Sequence, residues 1–157
     1  MELAKRLIQK NCLVVLMGTG EDQKLAQSFS AKGGSTSGGK EAKLKGVLDL
    51  TGETNLNQLV SLIKRLDVLV TGDTAPLHIA SAVGTKIVAL FGPTEPKSHM
   101  PPGKDHTVLV KRISCQPCYS GVCRNSEKLL CLREISVNEV LEAVGEQLSA
   151  LQKQPVS

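Results

Sequence analysis

Apolar residues in this chain occur both as short continuous runs and as stripes with helical spacing. Residues 12–17 form an apolar run closed by glycines, the pattern of a strand buried on both faces of a parallel sheet. Further short strands are predicted at residues 45–52, 67–72 and 86–92, and a fifth, weaker one at residues 106–110. Most of the segments between them repeat apolar residues every three or four positions, which is typical of amphipathic helices. The pattern therefore predicts strands that alternate with helices.

The helical stripes cover residues 21–31, 54–66 and 74–84, and a last helix begins near Ser136, which forms a capping-box pattern with Glu139. Strands and helices that alternate over short connections favour a parallel sheet with helices on both faces. The predicted fold class is therefore α/β with a Rossmann-like parallel sheet.

The 157 residues are enough for a single domain, predicted to span residues 1–157, with a flexible glycine- and serine-rich loop at residues 32–43. The amino-terminal residues predict a helix that enters a strand rather than a secretion signal. Since no apolar run reaches the roughly 20 residues of a membrane-spanning helix, we expect no transmembrane segment.

Residues 72–78 combine several features of a helix amino terminus that faces a ligand. Asp73 is predicted to be the N-cap, with Thr74 just inside the helix and Pro76 in its first turn. Such a terminus offers backbone N–H groups and a partial positive charge, which favour an anion. His78 lies one turn after Thr74, on the same face. The alternative is that Asp73 only caps the helix and His78 is tucked under a loop.

The stretch from Asp73 to Ala82, together with the following "VALFGPTEP", matches nearly every position of a long motif. It resembles the signature of glycosyltransferase family 9, which comprises the heptosyltransferases of lipopolysaccharide core assembly and their relatives. The segments "LDLTGETNLNQLVSLIKRLDVLVTGD" and "CLREISVNEVLEAV" are also similar to that family, so the likeness covers most of residues 12–150. Ala75 departs from the family pattern, in which glycine usually lets the diphosphate approach the backbone.

The resemblance implies the GT-B architecture of two Rossmann-like domains, of which this chain is similar to the carboxyl-terminal, donor-binding one. It implies that Asp73, Thr74 and Ala75 hold the diphosphate of a nucleotide sugar and that His78 faces the phosphates or the sugar. It also implies that the loop at Thr54 meets the base.

The loop after the first strand carries Glu21 and Asp22, and the family places a ribose-binding carboxylate there, in register with Asp22. This loop lacks the third glycine of a dinucleotide-binding motif, and two acids would repel a pyrophosphate. Acids that accept hydrogen bonds from ribose hydroxyls fit better. The alternative is that both acids only complement the helix dipole.

Four of the five cysteines, Cys115, Cys118, Cys123 and Cys131, lie within 17 residues, whereas Cys12 fits plain core packing in a strand. Four thiols at short spacing could bind zinc, but the spacing lacks paired C-x2-C knuckles. Free or redox-active thiols and disulfides are the other possibilities, and a cytosolic location would disfavour disulfides. We predict no metal ligand among these residues.

The formal net charge of +4 suits a phosphate-bearing partner, but the basic residues are scattered. Tyr119, Phe29 and Phe91 are the only aromatic residues, which disfavours the further alternative of a zinc-stabilised nucleic-acid binder. Neither a nucleic-acid partner nor a cofactor other than the donor substrate is expected.

The function implied by the resemblance is that of the donor-binding domain of a glycosyltransferase. It would help transfer a heptose-type sugar from a nucleoside diphosphate, ADP-heptose being one candidate, to a lipid-linked glycan of the lipopolysaccharide type. The family's general base belongs to the amino-terminal domain, which is absent from this sequence, so we expect the isolated chain to bind donor without efficient transfer. The expected location is the cytoplasm, peripheral at the inner membrane face. The alternative is a non-catalytic Rossmann-like regulatory or protein-binding module.

Overall fold

The computed structural model describes residues 2–31, 45–103 and 106–152, so the loop predicted at residues 32–43 lies outside the described residues. Strands and helices alternate along most of this range, in the order α1 Glu2–Gln9, β1 Val14–Leu16, α2 Gln23–Ala31, β2 Val47–Asp49, α3 Leu56–Ile63, β3 Val68–Gly72, α4 Ala75–Val83, β4 Lys86–Phe91, α5 Pro96–His99, β5 Thr107–Val110, α6 Leu130–Arg133 and α7 Val137–Gln152. A short 3₁₀ turn, Gly20–Asp22, precedes α2.

The chain divides into two compact units, residues 1–58 and residues 59–157. In the first unit β1 and β2 pair in parallel, with Val14 opposite Val47 and Leu16 opposite Asp49. In the second unit β3, β4 and β5 form a parallel sheet with β4 in the centre. The single domain expected for residues 1–157 stays a prediction.

The core of the second unit is built around β4. Three consecutive residues of this strand, Ile87, Val88 and Ala89, are 0% exposed. Because successive side chains of a strand point to opposite faces, both faces of the central strand are covered. Helix α4 packs against β3 and β4, and α7 packs against all three strands. These parallel strands with flanking helices confirm the Rossmann-like α/β fold class.

Two helix boundaries in the second unit, the end of α4 and the start of α7, lie where the sequence predicts them. Gly84 follows α4 in the left-handed region at φ +79°, and its N–H bonds the carbonyls of Ala80 and Ser81. At the start of α7 the Ser136 Oγ accepts from the Glu139 N–H at 3.2 Å, and the Glu139 carboxylate accepts from the Ser136 N–H at 2.9 Å. This reciprocal pair is the capping box expected from the sequence.

Two short helices, α5 and α6, were not predicted. Each has four residues, too few for an apolar stripe to repeat. Between β5 and α6 the chain runs through residues 111–129 without a helix or strand. Backbone bonds from the N–H groups of Cys118 and Tyr119 to the Pro93 carbonyl tie this segment to the loop after β4. A search of the described residues finds no helix with the length and hydropathy needed to cross a membrane.

Candidate functional site

The amino terminus of α4 begins one residue later than predicted. Thr74, not Asp73, is the N-cap, with an extended backbone at φ −149° and ψ 171°. Among the described residues no side chain caps this terminus: the Thr74 hydroxyl lies 3.2 Å from that of Thr71 instead. The first N–H groups of a helix have no intrahelical partner. Pro76 has no N–H, and the N–H of Leu77 bonds the Thr74 carbonyl at 3.0 Å, so Ala75 supplies the first-turn backbone donor that the Thr74 side chain does not satisfy.

The prediction of Asp73 as the N-cap is wrong. Its carboxylate lies next to two histidines instead of capping the helix. Its Oδ2 lies 3.2 Å from Nδ1 of His99, and its Oδ1 lies 4.0 Å from Nε2 of His78. The Asp73 side chain is 15% exposed, whereas those of His78 and His99 are 56% and 39% exposed. A largely covered carboxylate thus connects two imidazoles that remain open to solvent beside the start of α4.

The residues next to this cluster belong to the loop after β4 and to the segment after β5. Glu95 caps α5 and accepts two hydrogen bonds from Arg112, at 2.7 and 2.9 Å. This bidentate pair lowers the pKa of Glu95 to about 2. The ring of Tyr119 lies against that of His99, with centroids 5.8 Å apart. Predicted and unpredicted residues therefore meet in one cluster of the second unit.

In the first unit, Asp22 has a local structural role. Its Oδ2 accepts hydrogen bonds from the N–H of Thr19 at 2.8 Å and from the Thr19 hydroxyl at 2.9 Å. These bonds lower the pKa of Asp22. A Cβ atom on Gly18 would lie 2.8 Å from the same carboxylate oxygen, so glycine makes room for it. A ribose hydroxyl would consequently have to use Oδ1, and Glu21 beside it is exposed.

The loop after β2 adjoins the loop after β1, because the N–H of Gly52 bonds the carbonyl of Gly18 at 2.9 Å. Gly52 has φ +76°, and a Cβ atom there would meet Gln23 at 2.7 Å. Thr54 follows two residues later and is half-buried, and Asn55 and Gln58 cap α3 through reciprocal bonds of 2.9 and 3.0 Å. The structure thus brings Glu21, Asp22 and the Thr54 loop to one edge of the first unit.

The cysteines are free thiols, with Cys115 and Cys118 exposed and Cys131 buried. Burial raises the pKa of Cys131, and the charges of the three nearby thiols raise it further. The pKa of Cys123 is lowered because the backbone N–H groups of Leu129 and Asn125 donate to its sulfur. Within the described ranges, no group of three or more His, Cys, Asp or Glu side chains is arranged to hold a metal ion.

His99 is the site residue that sequence reasoning missed. It lies 26 residues after Asp73, in a helix too short for a pattern, and no motif position marked it. The proline-rich "GPTEP" loop was the available signal, since it ends a strand at the edge where ligands of parallel sheets bind. The four second-unit residues predicted from the sequence, Asp73, Thr74, Ala75 and His78, do lie together.

The fold and this cluster define a Rossmann-like α/β protein with an open helix terminus beside a carboxylate and two imidazoles. The model of glycosyltransferase family 9 (heptosyltransferase) matches residues 1–129. The chain therefore belongs to glycosyltransferase family 9.

Its relatives in this family are heptosyltransferases. The chain is 32% identical over 112 residues to lipooligosaccharide heptosyltransferase 2 of Haemophilus influenzae and 34% identical over 112 residues to lipopolysaccharide heptosyltransferase 2 of Escherichia coli. Each alignment covers 71% of this chain and 30% of the relative. The chain thus spans about a third of the length of these curated relatives.

Two solved structures have the same fold. The structure of E. coli ADP-heptose lps heptosyltransferase II superposes with a TM-score of 0.75 at 28% identity, over 96% of this chain and 40% of that one. The iron-containing heptosyltransferase TibC, solved in complex with ADP-D-beta-D-heptose, has a TM-score of 0.58 at 16% identity, over 91% of this chain and 47% of that one. At that identity, the second likeness speaks for the fold alone.

Proposed function

We propose that this chain is the donor-binding part of a glycosyltransferase that uses a nucleoside-diphosphate sugar, specifically ADP-heptose. The observation that carries the proposal is the open amino terminus of α4 beside Asp73, His78 and His99, within the motif of family 9. ADP-heptose is favoured because the E. coli relative that shares this fold at 28% identity is an ADP-heptose heptosyltransferase. The acceptor proposed is a lipid-linked glycan of the lipopolysaccharide type, reached in the cytoplasm at the inner membrane face.

The proposed roles follow the residues that the family motif marks. In the second unit, Thr74 and Ala75 meet the diphosphate through the backbone N–H groups of the helix terminus, and His78 faces the phosphates or the sugar. In the first unit, Asp22 and Glu21 meet the ribose, and the loop at Thr54 meets the base. No catalytic base is proposed within the chain, so the expected activity of the chain alone is binding without efficient transfer.

Asp73 needs a partner if a diphosphate binds here. Two like unit charges about 5 Å apart repel by roughly 3 kcal/mol at an effective dielectric constant of about 20. A helix amino terminus contributes only about 0.3–1 kcal/mol to an anion, or up to about 2 kcal/mol when partly buried. The helix alone therefore does not offset an unpaired carboxylate. The two histidines next to Asp73 support the proposal, because an imidazole that takes up a proton offsets the charge of the carboxylate.

The test is a titration of the chain with ADP, UDP and GDP, in which calorimetry and amide NMR shifts measure binding. We expect ADP to bind most tightly, with its largest shifts in residues 72–78. His78→Ala should weaken binding, whereas Ala82→Ser, one turn further along the same exposed helix surface, should not. A folded chain that binds none of the three would contradict the proposal and favour the non-catalytic module.

A second comparison separates the two possible roles of Asp22. Thr19→Val removes one of the hydrogen bonds to the carboxylate but leaves the carboxylate in place. If Asp22 binds ribose, Asp22→Asn weakens ADP binding more than Thr19→Val does. If the two variants bind ADP equally well and lose stability equally, Asp22 is a capping residue only.

A further inference from the structure

We infer that His99, oriented by Asp73, is a second diphosphate-binding side chain of the donor site. The inference rests on the proposed function and extends it to a residue outside the family motif. It assigns Asp73 a positioning role: this carboxylate holds an imidazole against the start of α4 rather than contacting the nucleotide itself.

The geometry fixes which nitrogen of His99 is available. Nδ1 lies 3.2 Å from Oδ2 of Asp73, an ion-pair distance, so this ring nitrogen is the one next to the carboxylate. The hydrogen bond made by one ring nitrogen decides which of the two carries the proton. Asp73 therefore places the proton on Nδ1 and leaves Nε2 as the second polar atom of the ring. The His99 side chain is 39% exposed, so a ligand can reach it.

Two further contacts set the position of the ring. Tyr119 lies against it at a centroid distance of 5.8 Å, with the planes tilted by 38°. The N–H groups of Cys118 and Tyr119 both bond the Pro93 carbonyl, which fixes this part of the chain next to the loop that leads to α5. The backbone at His99 is held as well, because its N–H bonds the Glu95 carbonyl at 3.2 Å.

The charged groups of α5 do not oppose a phosphate beside the ring. Glu95, at the other end of α5, is occupied by Arg112, and Lys97 adds a positive charge on the same helix. Asp73 is shared with His78, and Tyr119 brings a phenol. In this group the carboxylate and the two imidazoles lie next to the backbone donors of α4.

Contact with a diphosphate requires a proton on Nε2. A neutral ring with its proton on Nδ1 can only accept at Nε2, and phosphate oxygens are acceptors. The ring therefore takes up a proton from solvent when the diphosphate binds, and the imidazolium then donates from Nδ1 to Asp73 and from Nε2 to phosphate. This change is specific to the phosphates, since a nucleoside carries none.

The test records the ring nitrogen shifts of His99 by ¹⁵N NMR in the 157-residue chain. Without ligand, we expect the Nδ1–H form, and Asp73→Ala should abolish this preference. With ADP, we expect protonation of Nε2, and with adenosine at saturating concentration no such change. A merely structural His99 would not respond to the phosphates in this way, so a ring that ADP leaves unchanged overturns the inference.

Affinity supplies the second readout. His99→Asn and His99→Gln should each weaken ADP binding by about tenfold, the usual effect of losing a hydrogen bond between charged groups. Ser98→Ala, the neighbouring residue of α5, is the matched control and should bind as the unchanged chain does. If both histidine variants fold and bind ADP unchanged, the inference fails while the proposed function stands. If the unchanged chain binds no nucleoside diphosphate, both fail.

Discussion

Two side chains at the start of α4, those of Asp73 and Thr74, contact other side chains instead of the helix amides, and this decides their roles. Asp is a common N-cap, so a sequence rule places Asp73 there. In the structure the carboxylate of Asp73 lies 3.2 Å from His99 and 4.0 Å from His78. Thr74 is the N-cap, and its side chain bonds no amide of the helix. The rule fails here because a tertiary contact replaces a local one, and the result is a helix start at the candidate site without a side-chain cap.

Asp22 shows the reverse outcome, since a local contact occupies the residue expected to meet a ligand. Its hydrogen bonds with Thr19 span three residues and are the kind that sequence patterns indicate. Oδ1 is the carboxylate oxygen that this capping leaves for a ribose hydroxyl. The ribose contact implied by the family stays a prediction.

The cysteines should differ in reactivity according to their surroundings. The pKa of Cys123 is lowered, mainly by backbone N–H donors, and that of Cys131 is raised, mainly by burial. Because the thiolate is the nucleophile, iodoacetamide at neutral pH should modify Cys123 faster than Cys131. Peptide mass spectrometry at several times measures both rates. The same reaction in denaturant should remove the difference, and a Cys131 that reacts first in the native chain would contradict the assignment.

At the scale of single elements, α4 ends at a glycine that its backbone requires. Gly84 has φ +79°, and a Cβ atom there would have nothing within 4 Å. Gly84→Ala should therefore lower the free energy of unfolding by about 1 kcal/mol through backbone strain alone. Chemical denaturation measures the change.

Gly145 is the matched control for this prediction. It lies inside α7, and a Cβ atom there would also have nothing within 4 Å. Gly145→Ala should raise the free energy of unfolding by up to about 1 kcal/mol, because alanine favours a helix. Changes of the same sign in the two variants would show that contacts, rather than backbone conformation, control these positions.

The elements that the sequence predicted well are those whose burial is continuous or periodic. Residues 87–91 of β4 are an unbroken apolar run, and the structure buries both faces of this strand. α7 has both an apolar stripe and the Ser136–Glu139 capping box. By contrast, α5 and the irregular residues 111–129 have neither a continuous apolar run nor an apolar stripe. Their positions depend on bonds to Pro93 and on the Glu95–Arg112 pair.

The same contrast holds for the site as a whole. Asp73, Thr74, Ala75 and His78 lie together because they are within six residues of one another, and the diphosphate contact implied by the motif stays a prediction. His99 and Tyr119 reach that cluster from separate segments, through contacts that no local pattern encodes. The remaining predicted residues, Glu21, Asp22 and Thr54, lie in the other compact unit.

For the molecule as a whole, two ion pairs predict how stability depends on pH. Glu95 pairs with Arg112, and Glu139 pairs with Lys111 at 2.6 Å, so adjacent residues after β5 connect to α5 and to α7. Both glutamates have a pKa lowered to about 2 from an ordinary 4.5. The unfolded chain therefore binds more protons between these values. The stabilisation is present above about pH 4.5 and is lost as the pH falls towards about 2.

Denaturant titrations at a series of pH values below about 5 measure this acid limb in the same chain. The double variant Glu95→Gln/Glu139→Gln should be less stable near neutral pH and should lose less stability on acidification, because neither replacement titrates. Glu146→Gln, an exposed position of α7, is the control and should keep the slope of the unchanged chain. Added salt should reduce the effect, since both pairs are at the surface, where ions screen them. An acid limb that is as steep in the double variant as in the unchanged chain would mean that other carboxylates, such as Asp22 with its lowered pKa, carry the pH dependence instead.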